Sequence, residues 1–233
     1  MVNLVIPPVS DCFMPTLGVA QIAGYLKKNN ICCRVIDASA EFVYDLFLKI
    51  KGLSPVKRRT IIDNEQLSFR NVVSCLNYLS SIQDEFCITI DDFRTGFSWR
   101  DIDNTVDFVN RKTIFHERIK NLSFMNIPKE MRNYYCFSIS YESQVIPSLV
   151  MAKIIKEKYP EIKVCVGGSL LYNYEKDFYK LLYFTEWIDY LIIGAGELVY
   201  AALEIGGDKA LSAIPNVNVV SNYGKHIVDA REC

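Results

Sequence analysis

Short apolar runs and longer amphipathic stretches alternate at both ends of this chain, and the alternation breaks down in the middle. Residues 3–6 form a brief β-rich run closed by Pro7-Pro8, which cannot continue a central strand. From Pro15 to Lys28 the period changes. Val19, Ile22, Ala23 and Leu26 recur at i, i+3, i+4 and i+7, proline stands in the first turn and lysines close the last, which predicts a helix. Residues 32–36 are again a short apolar run, ending at Asp37. Strand, helix and strand in so few residues predict a right-handed βαβ unit with parallel pairing.

The same rhythm returns in the second half. Tyr135 to Ser140 reads as a strand, and Gln144 to Lys158 as a helix with Val145, Leu149, Ala152 and Ile155 inward. Lys163 to Val166 is a strand, Tyr174 to Phe184 an aromatic-rich helix, Ile188 to Gly194 a strand and Glu197 to Leu203 a helix. Two extended pieces around Asn222-Tyr-Gly-Lys225 predict a C-terminal hairpin. The pattern specifies an α/β fold: a flavodoxin-like, doubly wound, mainly parallel five-stranded sheet. Residues 1–40 and 133–233 make the Rossmann-type domain. Residues 41–132 are too long for a simple crossover and too patterned for a loop. Helical segments over Glu41–Lys51, Phe69–Gln83 and Trp99–Asn121 predict a helical insertion packed against one end of the sheet.

Composition narrows the class. Half of the residues are hydrophobic and 12% are aromatic, which marks a globular chain. Twenty-six basic and 27 acidic residues leave a net charge of −1, so no global attraction to nucleic acid or an anionic membrane is expected. No apolar run approaches the roughly 20 residues of a spanning helix, and the N-terminus lacks a signal-peptide pattern. A cytoplasmic protein is expected. The eight cysteines include no Cys-x-x-Cys pair, and Cys32, Cys136 and Cys165 fall in strands, where cysteine acts as a small apolar residue. With only His116 and His226 besides, no zinc site is expected.

Candidate chemistry collects where the strands end. The loops after the first, third, fourth and fifth strands read Ser10-Asp-Cys-Phe-Met-Pro-Thr16, Ser140-Tyr-Glu-Ser143, Gly167-Gly-Ser169 and Gly194-Ala-Gly-Glu197. In a parallel sheet they meet at one edge, as a glycine- and hydroxyl-rich rim carrying Asp11, Glu142 and Glu197. Such a rim suits a bulky ligand held by backbone and hydroxyl contacts; the same glycines also serve as tight turns, and the residues alone do not separate these readings. The dinucleotide and P-loop fingerprints are missing, which disfavours a nucleotide or flavin binder. The carboxylates are acid–base candidates, although Glu197 at a helix start also compensates the helix dipole. Tyr172, Tyr174, Phe178, Tyr179, Tyr183 and Phe184 form an aromatic stripe that is either core or a docking face. Lys57-Arg-Arg59 reads as a solvated basic turn.

Four motifs stand in order: Pro15-Thr-Leu-Gly-Val-Ala-Gln-Ile-Ala-Gly24 with Arg34-Val-Ile-Asp37, Ser138-Ile-Ser140, Tyr159-Pro-Glu-Ile-Lys-Val-Cys-Val-Gly-Gly168, and Ile188-Asp-Tyr-Leu-Ile-Ile-Gly-Ala-Gly-Glu197. Together they resemble the cobalamin-binding N-terminal domain of cobalamin-dependent radical SAM enzymes. The resemblance spans both ends of the chain but not its middle third. It implies that the dimethylbenzimidazole tail of cobalamin runs between the sheet and a helix past Ser138, Ser140, Gly167 and Gly168, flanked by Gly194, Gly196 and Glu197. The corrin would lie across the strand ends, near Ser10, Asp11, Cys12, Pro15, Thr16 and Leu17, with Tyr141, Glu142 and Ser169 beside it. The loop after the first strand lacks the Asp-x-His-x-x-Gly motif of the mutases, so the cofactor is expected base-off without a histidine ligand. The Cys-x-x-x-Cys-x-x-Cys motif that holds a four-iron cluster is also lacking. S-adenosylmethionine and the cluster are therefore expected in a radical SAM catalytic domain or subunit, as the partner of a methyltransferase acting on unactivated carbon or phosphorus. The chain would be either an excised domain or a stand-alone subunit. The alternative from another class is a cofactor-free adaptor of the same fold that binds a protein or peptide.

Overall fold

The computed structural model describes residues 1–10, 16–50, 69–184, 186–211, 214, 218–221 and 227–228. Its main sheet runs β2-β1-β5-β6-β7-β8-β9. The first five of these, β1 (Val2–Ile6), β2 (Cys33–Asp37), β5 (Tyr134–Ser138), β6 (Lys163–Gly167) and β7 (Tyr190–Ile193), pair in parallel. This is the doubly wound order of flavodoxin-like α/β proteins, with the reversal of strand order falling between β1 and β5. The C-terminal strands β8 (Asn218–Ser221) and β9 (Ile227–Val228) add antiparallel pairs beyond β7. The turn at Asn222–Lys225 that joins them lies outside the described residues.

Alternation along the strands divides the core in two, since side chains point to opposite faces at every step. Leu4, Cys136, Cys165, Tyr190 and Ile192 face α1 (Leu17–Lys28) and α9 (Gly196–Gly206). Val5, Tyr135, Phe137, Val164, Val166 and Leu191 face α2 (Ala38–Ile50), α6 (Val145–Lys158) and α8 (Glu175–Phe184). With both faces covered, the strands read as continuous apolar runs. The predicted inward set of the first helix holds, with Val19, Ala23 and Leu26 buried.

The middle of the chain departs from the expectation of a purely helical insertion. After α3 (Phe69–Ser81), β3 (Phe86–Ile88) and β4 (Phe93–Thr95) form an antiparallel pair. The stretch expected as one helix over 99–121 is two, α4 (Ile102–Asn110) and α5 (Ile114–Lys120), with separate caps from Asp101 and Thr113. Its position differs as well. Phe108, Phe115 and Ile119 of these helices belong to the same cluster as Leu149, Met151 and Ile155 of α6, so the insertion forms an outer layer over that helix. Helix α6 is therefore buried on nearly every side, from Val145 through Ala152 without a break. A helix apolar all round is one covered all round. The basic turn at Lys57–Arg59 lies outside the described residues.

Candidate ligand cleft at the strand ends

A cleft of about 280 Å³ opens at the carboxyl edge of the sheet, between its first face and helices α1 and α9. Leu4, Cys136 and Ile192 line it from the strands, and Val19 and Ile22 line it from α1. Ser138, Ser140, Gly167, Gly168, Ser169, Gly194, Gly196 and Glu197 line it as well, so eight of the residues singled out from the sequence converge on one cavity. The hydroxyls of Ser138, Ser140 and Ser169 have no hydrogen-bond partner among the described residues. Among the described residues, Glu197 is the one charged residue of the lining, and no lysine, arginine or histidine lines the cavity. An apolar slot with free hydroxyls and one acceptor acid fits a flat, uncharged heterocycle with polar edges, not a phosphate.

Sequence reasoning named Leu17, Tyr141 and Tyr172 but missed Tyr200 and Leu198. Tyr200, from the second turn of α9, is buried against Cys136 and Cys165, which stand opposite each other on β5 and β6. Burial, with the Cys136 and Cys165 thiols beside it, pushes the Tyr200 hydroxyl well above its ordinary range, so it is neutral and bonded to Cys136. Tyr172, 64% exposed, lines the cleft, and three more exposed apolar residues, Leu17 at 80%, Tyr141 at 56% and Leu198 at 38%, are next in sequence to lining residues. Exposed apolar side chains beside a cleft suit contact with a ligand or partner. The signal was present as isolated letters, but only the fold brings four loops together.

Three of the residues named from the sequence have roles within the fold itself. Gly168 lines the cleft, and its own loop requires glycine: with φ at 119°, a Cβ there would sit 2.2 Å from the Ile139 carbonyl oxygen. Gly167 also lines the cleft, and a Cβ there would meet the Ile192 carbonyl oxygen and the Tyr200 hydroxyl at 3.3 and 3.4 Å. Glu142 turns away from the cleft. Its carboxylate accepts from the Tyr174 hydroxyl at 2.6 Å and the Trp99 indole N–H at 2.8 Å, and those bonds, that of Tyr174 first, hold its carboxyl below the ordinary range. Ser10, finally, is buried and exchanges hydrogen bonds with Ser39: its N–H donates to the Ser39 hydroxyl, which donates back to its carbonyl. Thr16, Leu17 and Tyr141 do not line the cleft. Asp11, Cys12 and Pro15 lie outside the described residues.

The two loops at the point where the strand order reverses are tied by side chains that the motifs did not include. The Gln144 Oε1 accepts from the N–H groups of Ser140 and Tyr141 at 2.8 and 3.1 Å, and its amide donates to the Pro7 carbonyl at 3.5 Å. Ser143 donates to the carbonyl of Val9 at 2.9 Å. Val9 has φ at 65°, a left-handed conformation that costs a β-branched residue about 1–3 kcal/mol and that these contacts hold in place.

No family model, no curated protein and no solved structure matches this chain. The aromatic stripe divides: Phe178 is core, Tyr174 holds Glu142, Tyr179 bonds Glu175, and Tyr172 is at the cleft mouth. The side chains of Tyr183 and Phe184 lie outside the described residues. No helix among the described residues is long and apolar enough to cross a membrane.

Proposed function

We propose that this chain is the cobalamin-binding domain or subunit of a cytoplasmic cobalamin-dependent radical SAM methyltransferase. A partner domain or subunit would carry the four-iron cluster and S-adenosylmethionine. The observation that supports the reading is the open cleft: the two serines and the Gly167-Gly168 turn named by the resemblance line one cavity at the strand ends. Leu4, Val19, Ile22 and Ile192 would pack on the faces of the benzimidazole, and the Ser138 and Ser140 hydroxyls would meet its polar edge. Leu17, Tyr141, Tyr172 and Leu198 would give the macrocycle an apolar seat. When bound, the cofactor supplies the methyl group for transfer; the chain orients it and excludes water from its tail. A cofactor-free adaptor has less support, because such a protein would fill the slot with its own bulky side chains.

The test is retention of hydroxocobalamin and methylcobalamin after desalting, followed by absorption spectroscopy. Retention with a base-off spectrum is the expected result. A Gly18→Phe variant should lose it while keeping its circular dichroism, because Gly18 lines the cleft and nothing lies within 4 Å of a Cβ there. Absence of retention by folded protein at high micromolar ligand would overturn binding by this chain alone.

A further inference from the structure

A second cavity, of about 170 Å³, lies in the outer layer between α2, α3 and α5, away from the cleft. Leu46 and Lys49 line it from α2, Tyr78 and Leu79 from α3, and Arg118 from α5. Its chemistry is the reverse of the cleft's, with two cations, a phenol and two leucines. The Nε of Arg118 is buried without a hydrogen-bond partner among the described residues, although a buried donor left unmade costs about 1–3 kcal/mol. Arginine is permanently charged, so this cost cannot be relieved by losing a proton. Lys49 is held at 3.1 Å by the buried Asp45, which compensates one of the two charges and leaves the other ammonium donors available. Asp45 thus positions Lys49, and the Arg118 Nε is the donor left without a partner among the described residues.

We propose that this cavity binds a small oxyanion bearing a short apolar group, either a phosphate monoester or a carboxylate. The guanidinium forks onto two of its oxygens, Lys49 and the Tyr78 hydroxyl take others, and Leu46 and Leu79 cover the apolar part. The volume exceeds what a bare oxyanion fills, which is why the apolar group belongs to the assignment. This site is independent of the cobalamin reading.

The experiment is a calorimetric titration of the full chain with phenyl phosphate, phenylacetate and inorganic phosphate, alongside the Arg118 Nε–H resonance in a nitrogen-15 correlation spectrum. Binding of at least one aromatic oxyanion more tightly than inorganic phosphate is expected, together with a shift of that resonance. Which of the two aromatic probes binds tighter distinguishes phosphate ester from carboxylate. Arg118→Gln should weaken binding on the order of tenfold or more, while Lys120→Gln, which removes a charge from the same helix outside the cavity, should not. Equal losses in both variants would reduce the site to general attraction and overturn it. So would the absence of binding for every probe at tens of millimolar. Tyr78→Phe, at an exposed position that the fold tolerates, gives a second reading should Arg118→Gln fail to fold.

Discussion

Two glycines show how differently one residue type can be used. Gly168 stands at φ 119° with the Ile139 backbone where a Cβ would be, so Gly168→Ala combines strain with a backbone clash. A loss of about 3 kcal/mol or more is expected. Gly18 lies in the first turn of α1 with open space at its Cβ, and Gly18→Ala should stabilise the protein by about 0.5 kcal/mol, through helix propensity and a less mobile unfolded chain. Urea denaturation of the two variants checks both signs. Glu142 gives a pH-dependent case. Its folded value lies below the unfolded one, so its contribution is present above the unfolded value of about 4.3 and disappears as pH falls through the folded value. Glu142→Gln should therefore cost about 1 kcal/mol near neutral pH. The variant and the parent should converge in stability below pH 4, as melting at stepped pH would show. None of this was legible in the motif, because Tyr174 and Trp99 reach Glu142 from distant parts of the chain.

At the scale of elements, the join between α4 and α5 depends on one histidine. His116 is buried; its Nε2 lies 2.7 Å from the Val109 carbonyl, which fixes the proton there, and its Nδ1 accepts from Thr113 at 2.9 Å. Burial is the main cause that pushes His116 below its ordinary value, so the folded protein keeps it neutral. The unfolded chain binds more protons once pH drops below about 6.5, and stability must then fall with pH until the folded value is passed. His116→Gln should flatten this dependence between about pH 7 and 5; a slope equal to the parent's would assign it to other groups. Thr113→Ala removes both the helix cap and the histidine's partner, and should cost about 1–2 kcal/mol. The sequence predicted one helix across this region because the apolar period continues through it. The break comes from local side-chain caps, which compete with periodicity at single residues.

For the whole molecule, the insertion and one face of the sheet share a single core. Phe42, Phe86, Phe108 and Phe115 belong to the same buried cluster as Val5, Phe137 and Val166. Elements that share a core unfold together. Trp99 in the insertion and Trp187 ahead of β7 report on the two parts. The unfolding midpoint of each tryptophan, isolated by Trp→Phe at the other, should coincide with that of far-ultraviolet dichroism. Two separated transitions would mean that residues 41–132 behave as an independent domain.

What the sequence determined by itself is the parallel α/β frame and the small-residue loops at the strand ends, because period and turn chemistry are local properties. It also placed Ser138, Ser140, Gly167 and Glu197 at or just beyond strand ends, and these come together in one cleft. Tertiary structure alone decided the rest: that Glu142 leaves the rim, that Tyr200 forms the floor, that Gly168 serves its own loop, and that the insertion lies over α6. Each depends on contacts between residues far apart in the chain, and no spacing along a sequence encodes the direction in which a side chain meets a distant partner.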